Sequence, residues 1–201
     1  MSALKLNIYR AISTKVEGSI EKNYHETMRV PGNVPYVVDN LWEWKRPKEY
    51  ACRRFSAYAS PTPKLALKAA GGGTAYAVEL KGSYKLCQLR GIEDSRYHFD
   101  CKKLKKRLLT LLKEETKKDW ISLPLKEKKE IGNLWIPCLT KKDIEELFNN
   151  NKILNQIKNK IFDAIEYWNH VVLIKDDPSD IDSKGELFFQ ANDGYLLHSI
   201  K

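Results

Sequence analysis

Side chains with types and spacing suited to catalysis or ligand binding occur in three short stretches of this sequence. An arginine can hold an anionic oxygen through charge-assisted hydrogen bonds, and a tyrosine can stack on a planar ring. A carboxylate can stabilise positive charge that develops in a transition state. The stretches, in chain order, are Tyr9-Arg10, Ser56-x-Tyr58-x-Ser60 and Lys184-Gly-Glu186. They are far apart in the chain, so a shared site depends on the elements that carry them.

Each stretch lies on a predicted β-strand. Residues 6–12 and 54–60 are rich in aromatic and alternating apolar residues, which is typical of strands. A third strand is predicted over 186–190. This strand and the one predicted over 195–199 flank Asp193-Gly194, which indicates a β-hairpin.

The remaining pattern predicts an α+β fold of about seven strands with a helical insertion. A short helix over 63–70 follows the second strand, with Pro63 in its first turn and its end at the glycines 71–73. Helical periodicity covers residues 99–120 and 140–168, and Thr140 with Asp143 three residues later indicates a capping box at the start of the second run. Residues 99–168 are the predicted basic insertion within a single domain of residues 1–201. The other predicted elements are strands over 74–80, 84–89 and 171–174, and a helix over 35–44 whose aromatic residues face the core.

The sequence lacks the short motifs of several large enzyme classes. It contains no P-loop, no GxGxxG after a strand, no GxSxG and no kinase signature. Gly71-Gly-Gly73 precedes a strand, which is typical of a helix end and not of a phosphate cradle. The histidines and cysteines do not have metal-ligand spacing, so no metal is expected.

The order of the three stretches resembles that of the ADP-ribosyltransferase superfamily. The segment Arg54–Ala66 is also similar to the strand-to-helix stretch of RES-domain toxins that cleave NAD, which likewise begin with a Tyr-Arg pair. The resemblance implies an ADP-ribosyltransferase-like split β-sandwich and NAD as a co-substrate. Lys184 departs from the Glu-x-Glu pattern of many arginine-modifying members. Members with a single glutamate often modify targets other than arginine side chains.

The resemblance also implies a role for each residue of the three stretches. Glu186 is the implied catalytic residue, because a carboxylate beside the ribose can stabilise the oxocarbenium-like transition state of nicotinamide–ribose cleavage. Arg10 is implied to contact NAD, where a pyrophosphate oxygen suits its charge. Tyr58 is implied to frame the nicotinamide, and Ser56 and Ser60 to hydrogen-bond NAD.

Each of these residues also has an ordinary structural explanation. Glu186 fits a solvated glutamate at a strand start, and Arg10 fits a surface arginine beside a core tyrosine. Tyr58 fits a core aromatic on an alternating strand, and Ser60 fits a cap of the following proline turn. The weaker catalytic candidates are Gln190 and Glu79.

The positive charge of the chain is concentrated in one block. The sequence has 35 Lys and Arg against 26 Asp and Glu, a net charge of +9. Residues 102–129 hold 11 basic and 4 acidic residues. The lysines that share one helix face in this block are Lys102, Lys106, Lys113 and Lys117. Such a face suits phosphate contacts with a nucleic acid, and a solvated helix face in a lysine-rich protein has the same pattern.

These features together favour an NAD-dependent mono-ADP-ribosyltransferase toxin that modifies nucleic acid, RNA or DNA, with protein as the second choice of acceptor. The resemblance implies a toxin–antitoxin or phage-defence context, with a cognate antitoxin protein as partner. Two alternatives stay open: a RES-type toxin that degrades NAD by transfer to water, and a non-enzymatic RNA-binding module. The sequence shows no apolar run of membrane-spanning length and no signal peptide. With four thiols lacking paired spacing, it favours a cytoplasmic protein with reduced cysteines.

Overall fold

The computed structural model describes residues 7–15, 18–23, 27–175 and 180–200. The chain divides into two compact units, which are named here the β unit and the helical unit. The β unit consists of Met1–Met28, Lys48–Tyr97 and His170–Lys201. The helical unit consists of Arg29–Pro47 and His98–Asn169. Leu6, the start of the first predicted strand, lies outside the described residues.

The β unit contains two four-stranded antiparallel sheets, and the α+β prediction is confirmed. The strands are β1 Tyr9–Ile12, β2 Ser19–Lys22, β3 Ala57–Ala59, β4 Thr74–Leu80, β5 Tyr84–Arg90, β6 Val171–Ile174, β7 Gly185–Ala191 and β8 Tyr195–Ser199. The strand order is β1-β4-β8-β2 in sheet A and β3-β7-β5-β6 in sheet B. The described residues thus form eight strands instead of about seven. The additional strand is β2, whose sequence Ser-Ile-Glu-Lys carries little apolar signal.

The two sheets share one apolar core. It is built from alternate residues of strands in both sheets, among them Ile8, Tyr76, Leu187, Phe189 and Leu197. Successive side chains of a strand point to opposite faces. The residues of β7 that alternate with Leu187 and Phe189, which include Glu186, therefore lie on the face of sheet B away from this core.

The predicted β7–β8 hairpin is wrong. Asp193-Gly194 joins two strands of different sheets, because β7 pairs with β3 and β5, whereas β8 pairs with β4 and β2. The link over residues 81–83 makes the same kind of crossing between β4 and β5. The two crossings lie side by side, where the Lys81 amide donates to the Gly194 carbonyl at 3.1 Å. A turn is present at Asp193-Gly194, where the Gly194 amide donates to the Ala191 carbonyl at 2.9 Å. The partner of each strand is nevertheless decided by the face that the strand buries in the shared core.

The helix that follows β3 agrees with its local sequence signals. It is α2, Pro63–Ala70, and Thr62 Oγ1 accepts a hydrogen bond from the Leu65 amide at 3.2 Å at its start. Gly71 ends it in the left-handed region with φ +72°, which glycine adopts without steric cost.

The helical unit contains the other five helices of the described residues. They are α1 Tyr36–Lys45, α3 Asp100–Thr116, α4 Leu125–Gly132, α5 Lys141–Asn150 and α6 Lys152–Asp163. The helical run predicted over 140–168 divides at Asn151, whose side chain caps α6 at the Leu154 amide. Thr140 and Asp143 form a capping box at the start of α5, as their spacing predicts.

Trp42 and Trp44 of α1 face the core of the helical unit, as predicted, whereas Tyr36 at the start of the helix is exposed. The Trp42 ring stacks on Tyr167 at 4.0 Å between centroids, and Trp44 stacks on Phe148 at 4.6 Å. Trp42 Nε1 also donates to Asp100 Oδ2 at 2.9 Å. Burial raises the pKa of this aspartate, and its hydrogen bonds act in the opposite direction.

No helix in the described part of the chain is long and apolar enough to cross a bilayer. Within the same residues, no group of three or more His, Cys, Asp or Glu side chains is arranged to hold a metal ion. All four cysteines are free thiols, and Cys52 and Cys87 are buried.

Candidate functional site

The three stretches singled out in the sequence lie on neighbouring strands. Tyr9 and Ser60 exchange both backbone hydrogen bonds, each at 2.8 Å, so β1 is bridged to the end of β3. β3 in turn pairs antiparallel with β7, with Ala59 opposite Leu187. Ser60 and Glu186 are the next residues along these two strands. Tyr9, Ser60 and Glu186 are thereby brought to one region of the β unit from distant parts of the chain.

Glu186 is buried and held by three groups. Only 7% of the residue is exposed. The Ser95 amide donates to Oε2 and the Ser95 hydroxyl donates to Oε1, both at 2.8 Å. A terminal nitrogen of Arg53 lies 3.7 Å from Oε1. Glu186 is therefore not a solvated glutamate at a strand start.

The environment of Glu186 acts on its ionisation in two directions. Burial raises the pKa of its carboxyl group, because the charged form loses hydration. The Arg53 guanidinium and the two Ser95 hydrogen bonds oppose this rise, since they favour the carboxylate. The site thus holds a poorly hydrated carboxylate beside a fixed positive charge.

Tyr58 belongs to the same cluster through Arg53. The guanidinium carbon of Arg53 lies 5.9 Å from the centroid of the Tyr58 ring, and the Tyr58 hydroxyl donates to the Arg53 carbonyl at 3.0 Å. Glu186 and Tyr58 both contact this one arginine, so they lie well within the ~15 Å that an NAD-sized ligand bridges. Tyr58 is half-buried and lies outside the apolar core shared by the sheets.

The two serines of the second stretch both form hydrogen bonds with backbone groups. Ser56 is fully buried, and its hydroxyl donates to the Cys52 carbonyl at 2.8 Å. Ser60 is buried at the bridge to β1, where its amide and carbonyl both bond to Tyr9. The Ser56 contact stabilises the turn that carries Arg53, and the Ser60 contact joins the two sheets.

Arg10 and Glu186 lie on different faces of their strands. Arg10 lies on the same face of its strand as Ile8 and Ile12, which pack in the shared core, and its guanidinium carbon lies 5.5 Å from the centroid of the Tyr195 ring. Tyr9 occupies the other face of β1, and it is the residue that pairs with Ser60. Of the Tyr-Arg pair, Tyr9 is therefore the residue whose side chain lies on the same face as Ser60, and Arg10 is not.

Two residues of the cluster, Arg53 and Ser95, were missed by sequence reasoning. Arginine and serine are mostly exposed residues, and neither stretch has a pattern that indicates burial. The weaker candidates have other partners. Gln190 Oε1 accepts from the Cys52 amide at 2.6 Å, and Glu79 Oε2 lies 2.7 Å from His198 Nε2.

Three of the four predicted nucleic-acid-binding lysines line one shallow groove of about 390 Å³ in the helical unit. The groove is lined by Lys102, Lys105, Lys106, Leu109, Thr110, Lys113 and Asp119. Lys117 is not among these residues and ends α3 in a left-handed conformation, with φ +59°. Lys105, which was not predicted, takes part in the groove.

Gly185 determines where β7 can begin, and with it the position of Glu186. Its φ is +134°, and a Cβ there would lie 2.2 Å from the Leu89 carbonyl oxygen. Gly72 has a similar φ of +122° with nothing within 4 Å of a Cβ. We expect Gly185→Ala and Gly72→Ala both to incur backbone strain of about 1–3 kcal/mol. Only Gly185→Ala adds a steric clash, so urea denaturation should show a clearly larger stability loss for it; equal losses would contradict this account of β7.

The arrangement in the β unit combines a poorly hydrated carboxylate, a buried guanidinium and a half-buried tyrosine ring. A carboxylate in such surroundings can stabilise a cationic transition state or take up a proton.

Comparisons of the chain with protein-family models, with curated proteins and with solved structures found no match.

Proposed function

We propose that this protein is an NAD-dependent mono-ADP-ribosyltransferase of the toxin kind, that Glu186 is its catalytic residue, and that its acceptor is a nucleic acid. The observation that carries the proposal is the adjacency of β1, β3 and β7. The resemblance requires residues of these three strands to share one site, although they are far apart in the chain. Tyr9, Ser60 and Glu186 support it, whereas the Arg10 side chain lies on the other face of β1. The two sheets with a common core suit the split β-sandwich of that superfamily.

The proposed reaction breaks the bond between nicotinamide and C1′ of the ribose. Nicotinamide leaves as a neutral molecule with the electron pair of that bond. The acceptor nucleophile forms a new bond to C1′ and loses its proton to a base or to solvent. Positive charge develops on the ribose between these events, and the Glu186 carboxylate is suited to stabilise it because few waters compete in a buried site.

The neighbours of Glu186 have separate parts in this proposal. Burial raises the pKa of Glu186, and the Arg53 guanidinium beside it opposes that rise because it favours the ionised carboxylate. Ser95 orients the carboxylate through its amide and hydroxyl. The Ser95 hydroxyl bonds Oε1 as a ribose hydroxyl would, so we expect the Ser95 contact to loosen when NAD binds.

A nucleic-acid acceptor is favoured by charge. The chain carries a net charge of +9, and four lysines line one groove of the helical unit. A surface of this kind suits the phosphate backbone, which dominates affinity in most protein–nucleic acid complexes.

One observation favours a second candidate, a nucleic-acid-binding protein without enzymatic activity. Both oxygens of Glu186 already accept hydrogen bonds from Ser95, and the residue is buried. Glu186 would then serve only to anchor the loop after β5, and Arg53 to balance its charge.

Incubation with NAD separates these candidates. The full chain is mixed with NAD alone, then with NAD and RNA, single-stranded DNA or denatured cell protein, and released nicotinamide and acceptor mass are measured. A transferase adds one ADP-ribose to an acceptor. Nicotinamide release with NAD alone, without any modified acceptor, would indicate the RES-type NAD-degrading activity. NAD that stays intact under every condition would reject the enzymatic proposal and leave the binding protein.

A further inference from the structure

The basic groove of the helical unit runs along the solvent side of α3. Lys102, Lys105, Lys106 and Lys113 contribute four positive charges to it, against the single carboxylate of Asp119. All four lysines are exposed. From Lys102 to Lys113 the helix rises by about 16 Å, so the groove offers a row of cations and not a single anion-binding point.

The groove ends beside an apolar surface. Lys113 Nζ lies 2.8 Å from Asp119 Oδ1, which fixes the chain at this end of α3. Trp120 and Ile121 follow directly, in a short 3-10 turn. Ile121 is 85% exposed, and the half-buried Trp120 ring lies 5.6 Å from the ring of Trp135 between centroids. An exposed apolar side chain next to an indole is a surface on which a planar ring can rest.

We infer that the helical unit binds a single-stranded nucleic acid, with its phosphates on the four groove lysines and a base against Trp120 and Ile121. Single-strand binding combines a cationic track for the backbone with aromatic or apolar contacts for unstacked bases. In a duplex the base faces are covered, so the apolar end of the groove would gain nothing. The inference rests on the proposed function only in treating the bound nucleic acid as the acceptor of ADP-ribose. The observations that support binding itself all lie in the helical unit.

The pattern of α3 disfavours a membrane surface as the occupant. Four of its leucines, Leu104, Leu108, Leu111 and Leu112, are buried in the helical unit, and Leu109 in the groove is half-buried. A helix that lies in a membrane interface needs its apolar face exposed to lipid. The exposed face of α3 carries charge instead.

Binding is tested on the full chain without NAD. The probes are a labelled 12-nucleotide RNA of mixed sequence, the DNA of the same sequence, the duplex of that DNA, and vesicles rich in anionic phospholipid. We expect both single strands to bind at least tenfold more tightly than the duplex, and the RNA and DNA arms identify the preferred sugar. Tighter binding of the duplex, or binding of the vesicles alone, would overturn the inference.

Two sets of variants test the groove lysines. Changing Lys102, Lys105, Lys106 and Lys113 to Gln keeps good helix formers. It should reduce the slope of log affinity against log salt by about 0.7 for each lost phosphate contact on a single strand. The matched control changes four exposed lysines of the same unit that do not line the groove, Lys126, Lys129, Lys142 and Lys160. Equal losses of affinity in both sets would show that binding depends on the net charge of the unit and not on the groove, which would contradict the inference.

The apolar end is tested by Trp120→Ala and Ile121→Ser. We expect about a tenfold loss of single-strand affinity for Trp120→Ala, in the range measured for base-stacking residues, and little change in the salt slope. Ile121 is almost fully exposed, so its replacement leaves the fold intact even if Trp120→Ala does not fold. Unchanged affinity in Ile121→Ser would show that this apolar side chain does not contact a base, which would contradict that part of the inference. Strand binding without NAD cleavage would reject only the proposed function, whereas NAD cleavage without strand binding would reject only this inference.

Discussion

Glu186→Gln is expected to lower the rate of NAD cleavage by about 10²–10³-fold, the cost of losing one well-placed electrostatic stabiliser. The change removes the charge and keeps the size of the side chain. Nicotinamide release at saturating NAD measures the effect. Because Glu186 is buried and bonded to Ser95, thermal unfolding is measured in parallel, and the rate is corrected for the folded fraction.

Glu79→Gln is the matched control for this experiment. Glu79 lies on β4 in sheet A, where its carboxylate is 2.7 Å from His198 Nε2 and partly exposed. We expect its variant to cleave NAD at the wild-type rate. Near wild-type turnover in Glu186→Gln, with loss of turnover in Glu79→Gln, would move the catalytic role to Glu79.

The pH dependence follows from the direction of the Glu186 pKa. Burial raises this pKa, so the ionised form that stabilises positive charge is lost at a higher pH than for an ordinary glutamate, near 4.3. The acid limb of the NAD-cleavage profile should therefore lie above that value.

The stability of the fold depends on the same pKa. Folding favours the protonated form of Glu186, so the contribution of this residue to stability is present below about pH 4.3 and is lost as the pH rises through the folded pKa. Urea denaturation across this range should show the loss in wild type and not in Glu186→Gln.

Arg53→Met is expected to lower the free energy of unfolding by about 3–5 kcal/mol, as for other buried ion pairs that lose one partner. Arg53 is 5% exposed and pairs with the Glu186 carboxylate at 3.7 Å. Its removal leaves that carboxylate buried without a cation, and the pKa of Glu186 should rise further. Urea denaturation at neutral pH measures the stability change.

A double variant and an exposed pair serve as controls for Arg53→Met. In Arg53→Met with Glu186→Gln the uncompensated charge is gone, so the double variant should be more stable than the sum of the single effects predicts. Lys68 forms an exposed ion pair with Glu93, and Lys68→Met should leave the unfolding midpoint nearly unchanged. Additive single effects of Arg53 and Glu186 would show that the pair is not coupled.

Elements governed by neighbouring residues were predictable from the sequence. α2 has Pro63 in its first turn and ends at Gly71, as the sequence predicts. The capping box of α5 and the strands β4, β5 and β8 also follow their local patterns. Each depends on contacts within a few residues of the chain, or on a simple alternation of apolar and polar positions.

The sequence by itself thus determined most of the segments that form helices and strands, where the basic block lies, and that Glu186 lies at the start of a strand. Only the tertiary structure decided the neighbours of that glutamate. Arg53 and Ser95 meet it across 133 and 91 residues of chain, and no local pattern encodes such a meeting. The same is true of β7 and β8, which a strong turn signal joins but which belong to different sheets. Strand partners and buried ion pairs depend on how both sheets bury their apolar faces together, a property of the whole β unit and not of any one segment.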